Sequence, residues 1–145
     1  MKISKNKFLG MLVFLLISSI SISGQYKDAL ISRMSDFRNS VFANVDEGND
    51  FQEKEALRKM EKEWDKELNI VYQKIMKVAD PVTKNKLRNA QRAWIKFRDS
   101  EVEKNYYTNN ANGGSMGILF SLNTVAKLTE ERAVQLAEMY DALDK

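Results

Sequence analysis

Gln91, Trp94, Arg98 and Asp99 bring an amide, an indole, a guanidinium and a carboxylate into nine residues of the chain. Gln91 and Arg98 are seven positions apart, so a helix sets both on one face beside Trp94. Asn69 next to Leu68, Tyr72 one turn further on, and the distant Arg132 complete the set of polar candidates. Two chemistries fit them. One is a recognition patch for a partner; the other is an inter-helix network in which Asn and Gln amides and an Arg–Asp pair satisfy one another. A buried polar group left without a partner costs about 1–3 kcal/mol. Bundles also need groups that fix helix register, which favours the network.

Other chemistries are excluded or poorly served. The chain has no cysteine and no histidine, so thiol nucleophiles, Ser–His–Asp triads, disulfides and thiolate or imidazole metal sites are ruled out. Its 20 acids offer material for a glycosidase-like carboxylate pair. They lie mainly on mixed-charge helical faces, where solvation is the ordinary explanation. Gly113-Gly114-Ser115 follows no strand, as a phosphate loop requires. No acids sit in that loop at calcium-binding spacing. The reading is a non-enzyme without cofactor or metal.

Charge points the same way. The chain carries 23 Lys and Arg against 20 Asp and Glu, but Lys2, Lys5 and Lys7 account for the whole excess. The rest is neutral, so a nucleic-acid partner is not expected. Those lysines open a segment with an apolar run from Phe8 to Ile17 and small residues from Ser18 to Gly24, the order of a secretory signal peptide. Cleavage after Gly24 or after Ser23 both fit. Even from Phe8 to Ile22 the run is shorter than the ~20 residues of a spanning helix, so no stable membrane anchor is expected. The location expected is periplasmic or secreted.

The elements that must position these residues are helical. One proline and six glycines in 145 residues leave few breaks. Leu57, Met60, Trp64, Leu68, Val71, Ile75 and Val78 recur every three or four residues, which predicts an amphipathic helix from about Asp50 to Ala79. Asp80-Pro81 reads as a cap and first position of the next helix, with a stripe of Leu87, Ala90, Trp94 and Phe97. At that spacing Trp64, Trp94 and Phe97 read as core rather than as a ligand platform. Thr108 to Ser115, rich in Asn and Gly, is the expected loop. Met116 to Leu143 follows, with Ala133, Leu136, Tyr140 and Leu143 on one face; Thr129-Glu130-Glu131 marks a possible kink or restart. A weaker stretch, Leu30, Met34, Phe37 and Val41, precedes Asp46-Glu47-Gly48-Asn49. The sequence thus predicts an all-α bundle of three to four helices, its two strongest helices antiparallel neighbours across Asp80. The expected divisions are 1–24 signal, 25–49 N-terminal helical extension and 50–145 helical domain.

The stretch Leu87 to Asp99, LRNAQRAWIKFRD, is similar to the LprI-like family of small exported bacterial domains, related to a lysozyme inhibitor. Asp65 to Tyr72, Gly113-Gly114-Ser115 and Leu128 to Arg132 followed by Leu136 continue the resemblance, from about Gln52 to Leu143. Members of that family usually carry a cysteine soon after the Arg-Asp pair and another shortly before the Leu-Thr pair. Val102 and Thr124 stand there in this chain. A disulfide typically contributes about 2–4 kcal/mol, so packing must replace it. The resemblance implies an envelope protein that binds a protein partner, with a lysozyme-type hydrolase, whose cleft carries two carboxyls, as the candidate. Lys104, Tyr106, Tyr107 and the loop residues Asn109, Asn110, Gly113, Gly114 and Ser115 are then the exposed candidates for contact, with aromatic anchors. The alternative is a non-inhibitory envelope protein that binds another protein or a wall component.

Overall fold

The computed structural model describes residues 24–108 and 114–144, all helix and short connections. The proposed leader up to Ser23, and Asn109, Asn110 and Gly113 of the loop, lie outside the described residues. The four helices are α1 (Gln25–Phe42), α2 (Asp50–Val78), α3 (Pro81–Thr108) and α4 (Gly114–Leu143).

Local chemistry sets the starts. Asn49 accepts from the Gln52 amide at 3.1 Å, and Asp50 and Glu53 place negative charge in the first turn of α2. The Asp80 carboxylate accepts from the amides of Val82 and Thr83 at 2.8 and 3.0 Å and from the Thr83 hydroxyl. These bonds, the hydroxyl's first, hold it below the usual carboxylate range. The cap of α1 comes from far away. Gly24 supplies no side chain, and the Asp141 carboxylate of α4 accepts from the amides of Tyr26 and Lys27 at 2.9 Å each. Short-range patterning gives no sign of it.

α4 is the central element and packs against the other three helices. Its buried positions include Gly117, Ala126, Thr129, Ala133 and Ala137, small enough to let neighbouring backbones approach. α2 brings the large side chains: Met60, Trp64, Leu68, Val71 and Ile75 meet Leu87 of α3, Leu136 of α4, and Leu30 and Met34 of α1 in one core. Leu57 is buried as well, and Trp94, Tyr72 and Tyr140 pack partly buried against the cluster. α4 runs unbroken through Thr129, whose hydroxyl donates to the Val125 carbonyl at 2.7 Å. The chain therefore does not restart there as a second helix.

Two expectations need correction. α2 and α3 do run in opposite directions, but each packs along α4 rather than along the other. Ser115 meets the N-terminus of α2, whereas Arg132 meets Gln91 and Ser121 meets Val102. Second, Ala90 and Phe97 are not core: Ala90 is exposed and Phe97 is 52% exposed. The face of α3 turned to α4 is Leu87, Gln91, Trp94 and Arg98. Positions 90 and 97 sit about 60° round the helix from 87 and 94, and no other helix among the described residues covers that side. Val78 and Leu143, at the ends of their stripes, are exposed too. The Val102 carbonyl accepts from the Ser121 hydroxyl at 3.3 Å.

Candidate functional site

Four of the six polar candidates meet along the α3–α4 seam. Arg132 donates from Nε to Gln91 Oε1 at 3.1 Å and from Nη1 to Gln135 Oε1 at 3.3 Å. Arg98 donates to Asp99 Oδ1 at 3.0 and 2.8 Å. Both guanidinium groups lie near the Trp94 ring, Arg98 at 5.2 Å from its centroid and Arg132 at 6.0 Å. Such contacts are worth about 0.5–2 kcal/mol each. Burial pushes the Arg132 guanidinium below its ordinary value, and both of its hydrogen-bond acceptors are neutral amides. The seam is therefore a half-buried network that joins α3 to α4 and leaves part of Trp94 open. Asn69 and Tyr72 are not in it. The Asn69 amide donates to the Asp65 carbonyl and carboxylate, at 2.8 and 3.1 Å, on the outer side of α2, and Tyr72 packs on the core.

The second group builds the tip where α3 ends and α4 begins. The rings of Tyr106 and Tyr107 meet edge to face, centroids 4.9 Å apart at 87°. The Tyr106 hydroxyl accepts from the Gly114 amide at 3.4 Å, and the tyrosine covers Gly117 so closely that an added Cβ there would stand 2.7 Å from the Tyr106 carbonyl oxygen. Gly114 holds φ at 84°, a left-handed value that favours glycine. The Ser115 hydroxyl donates to Asp50 at 3.3 Å and accepts from Lys54, which braces the tip against the start of α2. Lys104 pairs with Glu101 on its own helix and stays exposed. Tyr107 is 60% exposed, and Met116 and Ile118 beside the loop are exposed as well. Sequence reasoning missed these two. The signal was there: Met116, Ile118, Leu119, Phe120 and Leu122 are more apolar residues in seven positions than one helical stripe can bury.

A buried ion pair was also missed. Glu67 is only 5% exposed, and Arg33 of α1 donates to its two oxygens at 2.8 and 2.6 Å. Donating these hydrogen bonds to Glu67 raises the Arg33 guanidinium further, and burial raises the neighbouring Tyr26 phenol. Glu67 falls within the stretch that reads as solvated charge, one position before Leu68. Only the docking of α1 makes it interior.

No helix among the described residues is long and apolar enough to cross a membrane. No curated protein and no solved structure gives a significant match to the chain. The family model of the lysozyme inhibitor LprI matches residues 43–136, a span that holds α2, α3, the tip and most of α4 and leaves α1 outside. With both the seam and the tip inside a match that covers well over half its length, the chain belongs to the LprI lysozyme inhibitor family.

Proposed function

We propose that this protein is an exported, non-enzymatic inhibitor of lysozyme-type cell-wall hydrolases, and that the α3–α4 tip is the part that engages the enzyme. The family match carries this reading. The tip adds a physical basis: Tyr107, Met116 and Ile118 are exposed on α3 and α4, which Tyr106 packs together over Gly117, while Ser115 and Lys54 brace α4 on α2. Interfaces concentrate their energy in such aromatic and apolar anchors, and a pre-formed end loses little freedom on binding. Lys104 sits one turn before Tyr107 and brings a positive charge towards the carboxyls of a hydrolase cleft. The first 24 residues supply the route to the hydrolase's compartment.

Residual muramidase activity of several lysozymes, measured with the purified protein, tests this directly. At least one enzyme loses most of its activity at micromolar excess of inhibitor. Full activity across the panel would leave a binding role without inhibition.

A further inference from the structure

Between Pro81 and Arg98, α3 carries six basic residues and no acid. Of the 20 basic and 20 acidic residues beyond Gly24, these six leave 14 against 20 elsewhere, so the charge of a neutral chain is separated onto one helix. Arg98 turns to the seam and pairs with Asp99. Lys84, Lys86, Arg88, Arg92 and Lys96 form no ion pair among the described residues. On α2, by contrast, Lys54, Arg58 and Lys66 each pair with an acid of their own helix. Nor does α4 answer the charge. Its Glu138 and Asp141 are engaged with α1, and what it brings to the seam is a further cation, Arg132. Arg88, Arg92 and Lys96 are exposed and follow one another every fourth position, each turned about 40° from the last. They form a row on the side of α3 away from α4. Val82, Ala93 and Phe97 lie within about the next 100° round the helix. All three are exposed, Val82 by 63% and Phe97 by 52%.

We propose that this outer face of α3 docks reversibly on an anionic phospholipid surface, Arg88, Arg92 and Lys96 among the phosphates and Phe97 at the boundary between headgroups and acyl chains. A row of unpaired cations complements a surface of dispersed negative charge. The surplus of acids elsewhere turns α3 towards such a surface and the rest of the bundle away from it. The apolar strip decides for a bilayer over a soluble polyanion, which offers nothing in which to bury Phe97 and Val82. The contact is peripheral, since no helix among the described residues is long and apolar enough to cross the lipid. Tyr107 lies about 20 Å further along α3 than Arg92, at 1.5 Å per residue. The docked face therefore leaves the tip free, and the proposal stands or falls independently of any hydrolase.

Co-sedimentation with vesicles tests this on residues 25–145, which hold the packed core; the first 24 residues are left out because their lysines and apolar run bind lipid themselves. Vesicles of about one-third phosphatidylglycerol in phosphatidylcholine bind the protein at least tenfold more tightly than phosphatidylcholine alone, and raised salt removes the difference. Each basic residue near such a surface is worth about fivefold in binding. Arg88→Gln with Arg92→Gln and Lys96→Gln therefore weakens binding at least tenfold, with the circular dichroism spectrum unchanged. Lys59→Gln with Lys62→Gln and Lys77→Gln, exposed on α2, changes the net charge equally and weakens binding by less than about threefold. Phe97→Ser weakens vesicle binding about threefold or more and leaves binding to soluble polyphosphate unchanged. Should the triple α3 variant unfold, Arg92→Glu alone carries the same test, with a loss of about tenfold. No preference for phosphatidylglycerol, equal losses from the α2 and α3 variants, or vesicle binding untouched by Phe97→Ser each overturns the proposal.

Discussion

Gly117→Ala has two opposed effects on the tip, and their sum decides whether the close approach of α3 and α4 is real. In an open helix the change stabilises by about 0.8–1 kcal/mol, because alanine loses less backbone entropy. Here the new Cβ stands 2.7 Å from the Tyr106 carbonyl oxygen and 3.1 Å from its ring. The first obstacle is backbone, so the clash is relieved only by moving one helix away from the other. Overpacking of that kind costs about 1–3 kcal/mol. The net is a destabilisation of up to about 2 kcal/mol, roughly 4–8 °C in melting temperature for a domain of this size. Calorimetry against the unsubstituted protein measures it. A rise in melting temperature of about 4 °C, the value for an unhindered helical glycine, would refute the geometry of the tip. Since the displacement falls where Tyr107, Met116 and Ile118 are presented, inhibition should weaken along with stability.

Arg33→Met leaves the Glu67 carboxylate buried without its cation. Breaking a fully buried pair costs about 3–5 kcal/mol, and with Arg33 41% exposed water offsets part of that, leaving about 2 kcal/mol in a denaturant titration. Arg33→Met with Glu67→Met restores most of the loss. Gln91→Leu removes an acceptor of Arg132 and costs about 1 kcal/mol by the same titration. Glu130 has its folded pKa raised, so between the unfolded and folded values the native state holds a proton that the unfolded chain has released. Stability therefore falls as pH rises through that window, and the penalty persists above it. Glu130→Gln raises the melting temperature at pH 7, and the gain shrinks as pH falls through the carboxylate range; a constant gain would contradict the burial.

Periodicity located α2, α3 and α4 because long amphipathic helices repeat their large apolar residues visibly. It failed where contacts depend on a distant partner. Phe97 and Ala90 look like core until α3 is seen to pack mainly on α4, through Gln91 and Arg98 as much as through Leu87 and Trp94. The central place of α4 is hard to read because its buried face, Leu136 apart, is made of Gly, Ala and Thr, which stand out in no hydropathy pattern. Glu67 and Asp141 look solvated, and only the docking of α1 gives them partners. Gln91 and Arg132 were legible as a pair of polar groups beside stripes, although their 3.1 Å bond was not. Asn69 was misleading for a local reason: its amide had a carbonyl of its own helix within reach.

Calorimetric titration of a lysozyme that the protein inhibits, with the unsubstituted protein and with Tyr107→Ser, tests the central claim most directly. Tyr107 is 60% exposed, so the substitution leaves the melting temperature within about 1 °C. An anchor at the centre of an interface costs about 2 kcal/mol or more when truncated, a loss of roughly thirtyfold in affinity. Equal affinity of the two proteins for the enzyme would move the binding surface away from the tip.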